Sequence, residues 1–543
     1  MTENRIAGAR PVAALALSLT PLSALLPAAA LAAEPPAREV TSQLGHVPPP
    51  PDLRIVGGEM RLTLDEAVRL ALERNLGLDV IRYDRQVARL RIDQAMGIYD
   101  LSMFGGVSSS HDESPAASNL DGADVQEQDR EGFSFGVGQL FPTGGSGSVN
   151  WVNGRFETNS QFAILNPSFS SGLDLTFEQP LLKGFGRSAT EYGIEIARNS
   201  DQIAGQLFLQ QVISTLQRVE DAYWTLVEAR YQLVVAEESL KLAQELHQNN
   251  KTRVEVGTLA PLELVSSEAG IATREEDIIR ARAAVAAAED QIRWLLNLVE
   301  AEHYAKTIVP ETEAAIPPVA IDLDTALDTA LASRSELEVQ RTNIRGKEID
   351  AAFYRQDLRP SLNLRATYGF NGVGGDVILR DQNGEVIEVI DGNWGDAVEQ
   401  MTDLDYPGWS IALEFGFPLQ NRTAKARNAI AEVELEQGKV VLSDLEQKIT
   451  TEVRTAVRDV ETARQQIQSA EVSVRLAEKN LDAERRKFEN GLSTSYQILL
   501  VQEDLTAARS RQVSAIASYR RALVEYQRSI GQLLEQAGVR VAD

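Results

Sequence analysis

The chain of 543 residues contains no cysteine. That removes disulfides, thiolate metal sites, a cysteine nucleophile and the lipid-bearing cysteine of a bacterial lipoprotein. Positive charge is short as well. The 53 Lys and Arg face 79 Asp and Glu, a formal net charge of −26, and no basic stripe offsets it. Nucleic acid is therefore not an expected partner. The four histidines, His46, His111, His247 and His303, are scattered, and none sits at metal-ligand spacing. Long apolar runs are missing beyond the N-terminal region. None reaches the roughly 20 residues a spanning helix needs, so crossing a membrane would require a β-barrel. Gly144-Gly-Ser-Gly147 lacks the last glycine of a nucleophile elbow, and Asp381-Gln-Asn-Gly384 lacks calcium-loop spacing. With no nucleophile, base or metal constellation, neither an enzyme nor a cofactor is expected.

The N-terminus carries Arg5 and Arg10 ahead of an Ala/Leu-rich run from Val12 to Leu31, closed by Ala30-Leu31-Ala32. This predicts a cleavable secretory signal over residues 1–32. Residues 33–60 hold Pro35, Pro36 and Pro48 to Pro51, the composition of an extended arm with nothing to pack.

What the chain does have is a repeat. Leu62-Thr-Leu-Asp-Glu-Ala-Val-Arg-Leu-Ala-Leu72 returns as Ile321-Asp-Leu-Asp-Thr-Ala-Leu-Asp-Thr-Ala-Leu331, an offset of 259. Further on, Leu226, Ala229, Leu233, Ala236, Leu240 and Ala243 return as Val460, Ala463, Ile467, Ala470, Val474 and Ala477, an offset of 234 that also relates Gly257 to Gly491. The first copy thus holds 25 more residues between the two registers. The repeats span 61–298 and 321–535, joined by a proline-bearing linker over 299–320 and followed by a tail over 536–543.

Each repeat reads in the same order. Helix is predicted over 63–97 and 322–358. Strand-like segments follow over 99–186 and 360–420, with period-two alternation in Phe133-Ser-Phe-Gly-Val137, Leu173-Asp-Leu-Thr-Phe-Glu178 and Trp409-Ser-Ile-Ala-Leu-Glu-Phe-Gly-Phe417. The steps of three and four through Leu226 and Val460 then mark heptad seams rich in alanine. Gly257 and Gly491 interrupt these seams, and helix resumes at Pro261 and Thr494. Helical hairpins over 187–298 and 423–533 are expected, with tips near 257 and 491. His247 occupies a seam position matched by Leu481 and reads as a tolerated polar residue.

Several patches carry a family likeness: Leu64-Asp-Glu-Ala-Val68, Gln179-Pro-Leu-Leu-Lys-Gly-Phe-Gly186, Phe417-Pro-Leu-Gln-Asn-Arg422, Arg486-Lys-Phe-Glu-Asn-Gly491 and Tyr519-Arg-Arg-Ala-Leu523. In this order, inside the duplication, they resemble the TolC family of outer-membrane channels from about Leu62 to Gly531. The resemblance implies an α+β membrane protein, a homotrimer in which each chain gives four strands to one twelve-stranded barrel. That barrel would continue into a periplasmic α-helical tunnel. It implies a passive exit duct in the outer-membrane lipid of a Gram-negative bacterium, joined by a periplasmic adaptor to an inner-membrane pump. A type I protein-secretion duct would use the same fold. A periplasmic coiled-coil adaptor is the alternative from another class, but adaptors usually carry one hairpin, not two.

By alignment to the family, the periplasmic gate acids fall on Glu263, Gln497 and Leu500, of which only Glu263 keeps the charge. A tyrosine and an arginine that lock some relatives are replaced by Phe488 and Ser493, leaving Leu492 or Leu500 to close the gate by apolar packing. Gly257, Thr258, Gly491 and Leu492 match the turns on which adaptor hairpins dock. The first strand region holds more segments than two strands require. Phe133 to Gln139 and Gly147 to Val152 are either continuations of long strands or an added hairpin.

Overall fold

The computed structural model describes residues 54–116, 122–312, 316, 321–381 and 385–539. The signal expected over 1–32 and most of the proline-rich arm lie outside the described residues, as do the turn at 382–384 and the end of the tail.

The first repeat opens with β1 (Arg54–Val56) and β2 (Glu59–Leu62), then α1 (Leu64–Arg74) and α2 (Leu76–Met96). Four strands follow: β3 (Ser102–Pro115), β4 (Val125–Leu140), β5 (Ser146–Thr158) and β6 (Leu165–Pro180). A single turn, α3 (Arg187–Thr190), leads into α4 (Tyr192–Glu255), and α5 (Leu262–Leu295) returns along it. The connection holds α6 (Ala301–Tyr304) and β7 (Thr307–Pro310). The second repeat runs α7 (Leu323–Ser333), α8 (Ser335–Gln356), β8 (Ser361–Arg380), β9 (Val386–Ile390), α9 (Trp394–Thr402), β10 (Pro407–Gly416), α10 (Arg422–Glu489), α11 (Ser495–Ser529) and α12 (Leu533–Gln536).

The single helices expected over 63–97 and 322–358 are each broken once, at Asn75 and Arg334, which the offset of 259 relates. Both residues take extended backbone, with ψ of 115° and 121°. Asn75 stays there because its Oδ1 accepts from Gly77 N and Leu78 N, satisfying the new helix start. Its Nδ2 donates to Leu295 O at the end of α5, and the Arg334 guanidinium donates to Ser529 O at the end of α11. Leu295 and Ser529 are 234 apart, so both repeat registers meet in one contact. The contact ties the head of each short helix to the foot of the returning hairpin arm. α4, with 64 residues, is roughly 96 Å long and runs beside both α2 and α5.

The described residues of the proline arm and of the linker contribute strands. β1 and β2 are antiparallel, and β7 from the linker adds in parallel beside β2. This small sheet exists because Tyr223 anchors it: its hydroxyl donates to Leu62 O and accepts from Thr312 N. Around that point lies the largest apolar cluster, with Leu70, Leu216, Trp224, Leu226 and Leu295 all nearly inaccessible. The heptad seams lie inside as well, with Leu226, Val460 and Ile467 buried where the helices meet.

The large sheet has the order β10-β8-β6-β5-β4-β3, entirely antiparallel, with β9 pairing the far end of β8. The fold class implied by the resemblance holds, and the sheet of one chain has more strands than the four the resemblance assigns to the barrel. Six strands lie on one path, because β4 and β5 form a complete hairpin between β3 and β6. The turn at 141–145 closes it, with Phe141 N donating to Gly145 O.

Candidate functional site

The sheet has two chemically different sides. Cross-strand register places Val137, Val149, Leu175, Tyr368 and Trp409 in one row on one side, followed by Phe135, Trp151, Leu173 and Phe370 in the next. On the other side stand Ser148, Asp174, Thr176, Glu178, Arg365 and Glu414, with Arg365 donating to Glu178 across the β6–β8 pair. Strand alternation produces this split directly. The apolar side is exposed: Trp409 retains 73% of its accessible surface and Phe415 70%. It is dished into an open hollow of about 720 Å³ lined by Leu101, Val137, Leu175, Phe177, Tyr368 and Trp409. An exposed apolar face of this kind needs an apolar solvent or partner.

One helix of this region was not legible from strand alternation. α9 lies across the upper part of the apolar side, its Ala397 and Met401 buried against β8 and β6. Gly372 and Gly374 make the seat, since a Cβ on either would strike the α9 backbone. Trp394 lies tilted against Phe133 and Trp151, and its indole N–H donates to Asn153 Oδ1 at 3.0 Å. The sequence signal was available in Asn393 and Asp396, which form a capping box, and in the spacing of Trp394, Ala397 and Met401.

The two hairpin tips form the second candidate region. Gly257 and Gly491 have φ of +82° and +74° with open space around them. Backbone handedness, not room, therefore calls for glycine. Thr258 N donates to Arg253 O and Leu492 N to Lys487 O, the same closing bond in both copies. Gly257, Thr258, Gly491 and Leu492 all face solvent.

The expected gate residues do not behave as one set. Glu263 is half-buried, and its Oε2 accepts from Ser495 N at 3.2 Å. It thus ties the first tip to the start of α11 in the second. Phe488 is buried with Leu246 and Ile498 rather than presented outward. The Arg253 guanidinium lies 4.7 Å from the Phe488 ring centre and donates to Phe488 O at 3.0 Å. Ser493 turns back on its own hairpin, donating to Glu484 Oε1 at 2.6 Å. Lys487 holds the other carboxylate oxygen, and Lys487 and then Ser493 keep the Glu484 carboxyl below its usual range. Gln497, Leu500 and Leu492 are exposed, Leu492 at 78%. Sequence reasoning missed Arg253, Glu484 and Ser495, whose roles appear only when the two tips are side by side. His247, read as a tolerated seam residue, hydrogen-bonds Ser267 Oγ through Nδ1, linking α4 to α5.

Among the described residues, no helix is long and apolar enough to cross a membrane, and no group of three or more His, Asp or Glu could hold a metal. The arrangement therefore defines a class: a membrane channel subunit whose wall is a two-sided sheet and whose far end is a pair of coiled hairpins. The family model described as outer membrane efflux protein matches residues 145–298 and 326–532, and the chain belongs to that family. Its members are passive outer-membrane channels, so this chain is a channel component and not an enzyme, and the adaptor alternative falls away.

Solved structures agree in fold. The chain is similar to the CmeC outer membrane channel of Campylobacter jejuni, with a TM-score of 0.62 at 15% identity, over 87% of this chain and 86% of that one. It is similar to the outer-membrane channel OprN at a TM-score of 0.62 and 16% identity, over 90% and 99%. VceC from Vibrio cholerae gives a TM-score of 0.59 at 13% identity, over 86% and 96%. No curated protein sequence matches this one.

Proposed function

We propose that the chain is the outer-membrane exit duct of a tripartite efflux system, acting as a homotrimer. It would be a passive conduit for small molecules or ions delivered by an inner-membrane pump through a periplasmic adaptor. The two-sided sheet carries this reading. Its apolar rows suit lipid and its Ser, Thr, Asp and Glu rows suit a watery bore, while an unpaired strand edge cannot face hydrocarbon. Copies of the chain are the natural way to cover the edges of β3 and β10.

At the far end, Gly257, Thr258, Gly491 and Leu492 form the surface on which the adaptor docks. The gate comprises Glu263, Gln497, Leu500, Phe488, Leu492 and Ser493 in two roles. Leu492, Gln497 and Leu500 project outward to meet the other copies. Glu263, Phe488 and Ser493 hold the two tips of one chain together. Three copies of Glu263 near the axis would favour cations over anions.

The test is outer-membrane fractionation with gels of heated and unheated sample, and quenching of Trp409 by brominated lipid. A heat-sensitive trimer with strong quenching is expected. A soluble periplasmic monomer would overturn the reading.

A further inference from the structure

The six-stranded path has a consequence for the width of the outlet. β4 is paired along its length on both sides, residue for residue from Ser102↔Gly138 to Pro115↔Val125 with β3, and from Gln128↔Thr158 to Leu140↔Ser146 with β5. β5 is paired likewise with β6. The added hairpin also obeys the two-sided pattern of its neighbours: Phe135, Val137 and Val149 on the apolar side, Ser134, Gly136 and Ser148 on the other.

It spans the full height of the wall. Its lower turn is fastened where the helices begin, with Gly186 N donating to Thr143 O and Gly144 packed against Gly184 and Thr190. Removing it would leave β3 and β6 roughly 14 Å apart, three strand spacings, with two open edges between them. An appendage on a four-stranded wall would show none of these features.

The outer edges of the whole path are β3 and β10, each with a single partner strand among the described residues. Six strands are fewer than the eight of the smallest membrane barrels. One chain therefore cannot close, and a second copy must supply the partner of each edge.

We propose that β10 of one copy pairs with β3 of the next and that all six strands of each chain enter the wall. This rests on the trimeric exit-duct reading above, and three copies then close an eighteen-stranded barrel. Diameter grows about linearly with strand number. The bore at the outer membrane is thus about 1.5 times as wide as that of a twelve-stranded barrel, with about twice the cross-section. The added segment faces that bore with Ser134, Gly136, Gly138 and Ser148 at its lower end, the Phe104 ring of β3 lying over Gly136, and with Asn150, Val152 and Phe156 further along. The outlet accordingly suits bulky solutes that a twelve-stranded barrel would sieve.

The absence of cysteine makes the test clean. Single cysteines at Phe135 and Val137, and at Ser134 and Ser148 as the opposite side, are labelled with bimane in the purified full chain and reconstituted with brominated lipid. The particles are also imaged to count strands. The proposal expects strong quenching at 135 and 137, weak quenching at 134 and 148, and eighteen strands around a threefold axis. A threefold particle with twelve strands and no quenching at any of the four would overturn the wide barrel while leaving the exit duct intact. Six-stranded sheets closed upon themselves in separate copies, with no lipid contact, would overturn both.

Discussion

The cluster at the hairpin tips allows a quantitative test through Phe488→Ala. Phe488 is 6% exposed and packs on Leu246 and Ile498, residues of α4 and α11, so it joins three helix ends at once. Truncating a buried phenylalanine to alanine costs about 3–5 kcal/mol, and the Arg253 guanidinium loses a ring contact of about 0.5–1 kcal/mol. The long helices beyond the tips keep their own seams, so the loss falls on local opening, not on the whole fold. Each 1.4 kcal/mol is tenfold, which makes the expected fall in amide protection about a hundredfold or more. Hydrogen exchange on peptides covering 242–262 and 481–503 measures it. Leu492→Ala serves as the control, since Leu492 is 78% exposed and contributes little buried contact. Should Phe488→Ala leave both peptides protected to within a factor of a few, the cluster does not hold the tips and the packing argument fails.

Glu263→Ala and Glu263→Gln separate charge from tethering. Both are expected to weaken cation preference in planar bilayers, but only the alanine variant should raise exchange at Ser495, whose N–H the carboxylate accepts. Unchanged ion selectivity in both would remove Glu263 from the bore. Gly491→Ala places a methyl in open space yet forces alanine to a φ near +74°, at a cost of about 1–2 kcal/mol. It should loosen the tip about tenfold in exchange without altering trimer yield, and an exchange profile like that of the parent would refute the strain.

Glu220 offers a pH test. Burial, then Asp221 and Asp65, push its carboxyl up to about 7 against the pull of Arg520. The folded chain therefore holds this proton more tightly than the unfolded chain does. Its stabilising share is complete below the ordinary value near 4.5 and is lost as pH rises to about 7. Glu220→Gln should stabilise the fold at pH 8 by about 1–2 kcal/mol after screening, seen as a higher thermal midpoint, and change little at pH 4. Equal shifts at both pH values would contradict the burial argument.

The parts of the fold legible in the sequence are those set by periodicity within one chain. The seam through Leu226 and Val460 is buried because two long helices share an apolar stripe, and heptad spacing encodes that stripe directly. The breaks at Asn75 and Arg334 were not legible, because each depends on a carbonyl more than 190 residues away at the end of another helix. β7 was hidden for the same reason: four residues in a proline-bearing segment become a strand only because Leu62 and Tyr223 wait beside them. The role of the added hairpin was open, since alternation in Phe133 to Val137 identifies a strand without identifying its neighbours.

The tips show the same limit at finer scale. Gly257 and Gly491 declare themselves because a left-handed turn constrains the residue at that position and nothing else. Phe488 and Ser493 stand where the resemblance places a polar lock that neither side chain can make. The ring is instead spent inside one chain, under Arg253, and the hydroxyl on Glu484 nine residues earlier. With no hydroxyl to satisfy, the ring at 488 is buried against Leu246 and Ile498. The restraint that Phe488 puts on the tips thus acts within one chain. The remaining outward candidates, Leu492, Gln497 and Leu500, carry no charge, so a closed tip here would be held between copies by apolar contact and would be less sensitive to salt than one held by ion pairs.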